Sequence, residues 1–175
     1  MSERLQKLIA NAGYGSRRWA ERLIEQGRIS INNQEAKLGD KALITDRVTI
    51  DGRLIDLERY SEEETKVLIL NKQAGVICTN KDEEGRKSVF DFLPENTRWV
   101  MVGRLDLNTS GLLLFTNNGD LANKLMHPSS EIDREYAVRV LGKVEDEHIK
   151  QLTSGIELDD GFAKFHRVTL GGGEG

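Results

Sequence analysis

Residues 99–116 read WVMVGRLDLNTSGLLLFT: two apolar runs separated by a polar loop bounded by Gly103 and Gly111. Short apolar runs flanked by turn formers read as strands, so strands are expected over Arg98 to Val102 and Leu112 to Thr116, joined by a tight loop. That loop presents one acid, Asp106, one base, Arg104, and three small polar residues, Asn108, Thr109 and Ser110. Two readings of it stand side by side. In one, Arg104 favours the ionised carboxylate of Asp106, the three polar residues orient it, and a charged, immobilised nucleophile results. In the other, Asp106 makes an Asx-type turn and pairs with Arg104 simply to close the connection.

Working outward, the apolar run KVLIL (Lys66 to Leu70), DREYAVRV (strand over Glu135 to Leu141) and Phe162 to Leu170 supply further strands. Helices fit Asp120 to His127, closed by Pro128, and Glu145 to Thr153, stopped by Gly155. Strands outnumber helices, and their connections are too varied for regular βαβ alternation. The fold class expected is therefore α+β, with a mixed, mainly antiparallel sheet and flanking helices.

The first sixty residues read differently. Leu5, Leu8, Ile9 and Ala12 share a helix face, with Ser2 as a cap and Gly13 as a stop; a second helix follows Ser16, turns Trp19, Ala20, Leu23 and Ile24 inward, and ends near Gly27. Short strands then flank an Asn32-Asn33 turn and an Asp51-Gly52 hairpin signal. The charged, aperiodic segment RYSEEETK (59–66) reads as a linker. The expected layout is a docking module over 1–60, a linker over 61–66 and a working domain over 67–175.

The formal net charge of −4 opposes a generally basic nucleic-acid binder. Its distribution does not. Residues 1–60 hold eleven Lys and Arg against nine Asp and Glu, net +2, and the remainder carries net −6. Within the positive part, Ser16-Arg17-Arg18 opens a helix, where cations cost roughly 0.3 to 1 kcal/mol against the helix dipole. A phosphate site made of Ser16, Arg17 and Arg18, extended by Arg4, Lys7, Arg22 and Arg28, would offset that cost; a merely solvated basic face is the bland alternative. A single cysteine, Cys78, excludes a disulfide framework. With neither a secretory signal nor a membrane-length apolar run, the expected compartment is the cytoplasm. His127, His148 and His166 lack ligand spacing, no GxxxxGK[ST] loop occurs, and no metal or other cofactor is expected.

Two resemblances sharpen this reading. The two helices with SRR between them, followed by GRISINNQEAKLGDKA, resemble the S4 RNA-binding domain over residues 2–57, which implies docking on structured RNA. The string GRLDLNTSGLLL resembles the signature of the pseudouridine synthases, in the branch that carries an N-terminal S4 domain. That resemblance implies isomerisation of a uridine in ribosomal RNA, with a 23S loop favoured over 16S. Asp106 matches the aspartate that attacks the ribose or helps break the glycosidic bond by a related route. Arg104 matches the arginine that pairs with the aspartate and the RNA backbone as the base flips. Tyr136 looks like the tyrosine that stacks on the extruded base, although strand alternation alone makes it a core residue. NKQAG (71–75) looks like an early motif written K-P-x-G, with Gln73 in place of proline, and Lys72 is carried over as an RNA contact together with Asn108, Thr109 and Ser110.

Enzymes of this type continue beyond the region of GGGEG (171–175), so the catalytic domain is expected to be incomplete and the chain's activity alone reduced. No obligate protein partner is evident and a monomer acting on ribosomal RNA is expected. The rival readings are a noncatalytic ribosomal-RNA-binding protein and a glycosidase. The latter needs two facing carboxylates about 5 to 9.5 Å apart, for which Asp120, Asp133 and Glu135 offer no motif.

Overall fold

The computed structural model describes residues 2–58, 64–80, 82 and 84–171. Residues 59–63 of the expected linker, 81, 83 and 172–175 lie outside the described residues. Contacts divide the chain into two units, Met1–Ile132 and Asp133–Gly175.

In the first unit, β1 (Glu3–Arg4) leads directly into α1 (Leu5–Asn11). Ser2 is not the cap expected, because the two residues after it pair with a later strand and Arg4 occupies the capping position without a side-chain bond. The expected face holds: Leu5, Leu8, Ile9 and Ala12 are buried. α2 (Arg17–Glu25) starts where its sequence says it should, with Ser16 Oγ accepting the Trp19 backbone N–H at 3.1 Å. It buries Ala20, Leu23 and Ile24 against α1.

β2 (Ile29–Ile31), β3 (Gln34–Glu35), β4 (Lys41–Ala42), β5 (Val48–Ile50) and β6 (Arg53–Leu54) follow. A four-stranded antiparallel sheet has the order β3-β2-β5-β6, and β4 pairs with β1. Both tight turns adopt positive φ at their two central residues, 49° and 70° at Asn32 and Asn33, 51° and 75° at Asp51 and Gly52. This is the turn geometry that matches strand twist.

A second sheet, also antiparallel, is built from β7 (Val67–Lys72), β8 (Val100–Val102) and β9 (Gly111–Thr116), in the order β7-β9-β8. β7 runs two residues beyond the expected KVLIL, as far as Lys72. Alternation turns Leu68 and Leu70 toward a core of Val76, Val89, Leu113 and Phe115, where Phe90 meets Phe115 edge to face at 5.6 Å. α3 (Gly119–Met126) is capped by Asn118, whose side chain accepts the N–H groups of Asp120 and Leu121. The first turn of α3 is tied to α1, since Lys7 Nζ bonds Asp120 at 2.9 Å while also holding Glu3 at 2.7 Å.

The second unit contains α4 (Asp146–Ser154) and a hairpin of β10 (Ile156–Leu158) and β11 (Gly161–Ala163). Two expected strands are corrected here. Glu135 to Leu141 forms none, although Tyr136, Val138 and Val140 alternate as a strand should. A ladder needs a partner, no described strand pairs with this stretch, and the three side chains are 56%, 74% and 56% exposed. The strand expected over Phe162 to Leu170 shrinks to β11, because β10 offers only three residues to pair with it. No helix among the described residues is long and apolar enough to cross a membrane.

Gly52 sits at φ 75° in open space, so its conformation and not crowding selects glycine. Gly52→Ala is expected to lower stability by about 1 kcal/mol, read as a lower urea midpoint with unchanged denaturant slope.

Candidate active site

β8 and β9 align so that Val102 faces Leu114, and residues 103–110 must therefore turn back within a short loop. Its turn is closed by the Thr109 N–H donating to the Asp106 carbonyl at 3.0 Å, and the Gly75 N–H donates to the Leu107 carbonyl at 2.8 Å. The main support comes from Lys72. On β7 it continues the inward series of Leu68 and Leu70, and the whole residue is 1% exposed. Its ammonium donates to the carbonyls of Thr109 at 2.7 Å, Asp106 at 2.9 Å, Gln73 at 3.1 Å and Leu107 at 3.2 Å. Three N–H bonds shared among four acceptors satisfy a buried cation that has no carboxylate on it among the described residues. Lys72 is thus the clamp of the loop and not the RNA contact expected of it.

With its carbonyls drawn onto Lys72, the loop turns the Asp106 side chain outward. The carboxylate is exposed and makes no hydrogen bond or ion pair with any described residue. The Asx bond does not form, nor does the expected pair with Arg104, and Asn108, Thr109 and Ser110 do not hydrogen-bond the carboxylate. Backbone bonds hold the loop instead. Asp106, Arg104, Leu105 and Leu107 form one wall of a cleft of about 270 Å³; Ile77, Cys78, Thr79 and Arg86 form the other.

Arg86 was not singled out from sequence, where it stands among the charged residues of KDEEGRK (81–87). Four bonds to Asp82, Nη2 to Oδ1 at 2.7 Å, backbone N to Oδ2 at 2.6 Å and Nε to both carboxylate oxygens at 3.2 Å, and an ion pair to Glu84 at 3.1 Å hold it in place. The Arg86 guanidinium holds the Asp82 carboxyl below the usual carboxylate range, so the pair is intact at neutral pH.

The basic residues of the N-terminal module separate into two groups. Arg28 is engaged by Asp51 in two bonds of 2.6 and 2.7 Å, and Lys7 by Glu3 and Asp120; hydrogen bonds to those carboxylates raise the pKa of each. Neither is an open phosphate ligand. Arg4, Arg17, Arg18 and Arg22 are exposed and carry no ion pair with any described residue, while the Ser16 hydroxyl is occupied as the α2 cap. Tyr136 belongs to the second unit, on the unpaired stretch already described.

The sequence pattern of RNA pseudouridylate synthases matches residues 66–168, and that of the S4 domain matches residues 3–48. Ribosomal large subunit pseudouridine synthase B of Yersinia pestis is 51% identical over all of this chain and 56% of that protein. The protein of the same name from Escherichia coli strain K12 is 51% identical over all of this chain and 62% of its own length. The chain thus spans about three-fifths of the length of these curated relatives. A crystal structure of pseudouridylate synthase superposes with a TM-score of 0.56 at 27% identity, over 90% of this chain and 66% of that one.

Lys72→Met keeps the length of the side chain but strands the loop carbonyls, and is expected to cost about 2 to 4 kcal/mol in chemical denaturation, with the amide signals of residues 103–110 broadened or displaced in NMR spectra. For the Asp82–Arg86 pair, a depressed folded pKa means that its stabilising contribution is full above the unfolded value of 3.8 and disappears as pH falls through the lower folded value. The Arg86 side-chain NMR signals should therefore hold still from neutrality to about pH 5 and move only below the ordinary carboxylate range; a transition near neutrality would contradict the pairing.

Proposed function

The chain belongs to the RNA pseudouridylate synthase family, and on that premise we propose that it isomerises a uridine in a loop of 23S ribosomal RNA to pseudouridine. The observation that carries this is the Asp106 carboxylate, without a partner among the described residues at the mouth of a cleft and borne on a loop that Lys72 anchors from beneath. A nucleophile must be ionised, accessible and held still. Exposure makes Asp106 accessible and the buried clamp holds its loop still.

In this reading the target uridine leaves its stack, which costs little in an RNA loop, and enters the cleft between Asp106 and the Ile77 to Thr79 wall. Asp106 attacks the ribose, or assists departure of the base by a closely related route, and the C1′–N1 bond breaks. The freed uracil turns and bonds to C1′ through C5, whose proton is released as N1 gains one. Every heavy atom of uridine is retained, so the net reaction consumes no cofactor. Arg104, on the same wall, meets the displaced backbone, and the family resemblance gives Tyr136 the role of stacking on an extruded base. The S4 module supplies docking through Arg4, Arg17, Arg18 and Arg22. Ribosomal RNA is the partner of a single copy of the chain, and the cytoplasm is where it works.

A second reading, RNA docking without turnover, is favoured by the unpaired and exposed stretch that bears Tyr136.

Tritium release from unmodified 23S RNA labelled at uridine C5 separates the two. Asp106→Asn is expected to lower release by roughly a thousandfold or more with RNA affinity nearly unchanged; appreciable turnover by that variant would sink the nucleophile. RNA binding with no release from the unaltered chain would favour docking alone.

A further inference from the structure

A second and larger cleft, of about 910 Å³, lies beside the first, and Cys78 and Thr79 line both. Ser16, at the start of α2, is on one side; Arg98 and Trp99, which lead into β8, are on another. The Trp99 indole N–H is fixed on the Pro94 carbonyl at 3.1 Å, which holds this segment as a firm wall.

The charges around this cleft are unusual. Arg98 makes no hydrogen bond or ion pair with any described residue, and neither does the guanidinium of Arg17 or Arg18. Glu95 also lines the cleft but pairs with none of them. Although Arg98 keeps exposed surface, crowding by the walls and then the positive charge of Arg17 push its guanidinium below the ordinary arginine value. Like charges brought together without a counter-charge are a cost. Lys7, Arg28 and Arg86, by contrast, each have carboxylates on them.

We propose that Arg98, on the wall of this cleft, and Arg17, the residue after Ser16 at its edge, form a phosphate clamp on a backbone phosphodiester of the RNA strand whose neighbouring nucleotide occupies the Asp106 cleft. The proposal rests on the RNA-substrate reading and deepens it. A phosphodiester offers two non-bridging oxygens, one for each guanidinium, in the charge-assisted geometry that arginine favours. The wall shared through Cys78 and Thr79 places the two clefts along one path, so a strand held at Arg98 is already aligned with the cleft its target enters. Arg98 thereby joins the residues that position substrate, and it lies outside the S4 match at residues 3–48.

The test measures binding of the full chain to fluorescently labelled, unmodified 23S RNA transcribed in vitro, over a salt series, beginning with the unaltered protein. Arg98→Gln and Arg17→Gln are each expected to weaken binding roughly tenfold and to reduce the salt slope by about 1. The double variant should be weaker by much less than the product of the two, because both side chains serve one phosphate. Without RNA, Arg98→Gln should melt no lower than the unaltered protein, since it removes one of two repelling charges. Unchanged affinity and slope for Arg98→Gln overturns the clamp; fully multiplicative losses overturn a shared phosphate; a lowered melting temperature assigns Arg98 to the fold instead. If inorganic phosphate protects the unaltered chain against heat while Arg98→Gln binds RNA normally, the site takes a free anion and the backbone assignment falls. An unaltered chain that binds no RNA overturns the substrate reading itself, an outcome visible before any variant is made.

Discussion

A cation buried at the end of a strand must be satisfied or it destabilises the fold, and the site is arranged around the way Lys72 is satisfied. It occupies an inward position of β7, where alternation calls for an apolar side chain, and finds four carbonyl oxygens there. Three of these belong to the loop between β8 and β9. The bonds require β7 to lie directly beside β9, as the register Lys72 to Gly111 provides. They also decide which way the loop faces. Carbonyls directed at a cation beneath leave the Asp106 carboxylate on the outer surface, so the orientation of an exposed acid is fixed by a buried base that does not touch its carboxylate.

The same accounting sorts the remaining basic residues. Formal charge treats Lys7, Arg17, Arg28 and Arg98 as equivalent, but their surroundings do not. Lys7 and Arg28 are neutralised within the fold. Arg17 and Arg98 make no ion pair with any described residue. An open cation is available to an anionic partner, whereas a paired one must first break its own bonds, so the electrostatic footprint of this surface is smaller than its sequence suggests and more concentrated.

Features governed by neighbours in sequence were legible before the structure. The Ser16 cap, the apolar faces of α1 and α2, the two positive-φ turns and the glycine-bounded loop each depend on a few consecutive residues. Lys72 was carried over from the family resemblance as an RNA contact, and its burial rests on tertiary carbonyls that no local pattern displays. Arg86 and Arg98 had no local signal at all, since their importance lies in which cleft the fold turns them toward. The stretch from Glu135 to Leu141 failed in the opposite direction: its alternation is that of a strand, but pairing is a property of two segments and only one was visible. Ser2 lost its capping role for the same reason, displaced when Glu3 and Arg4 paired with Lys41 and Ala42.

The tie between α1 and α3 gives dissolved salt a mechanical role beside its electrostatic one. Lys7 joins the N-terminal helix to Asp120 by an ion pair whose acid side chain is 60% exposed, and such contacts weaken as counterions screen them over about 8 to 10 Å at physiological strength. Raising ionic strength therefore loosens the coupling of α1 to α3 as it weakens attraction for a polyanion. Dilute buffer does the reverse, stiffening the platform at the same moment that it strengthens the pull.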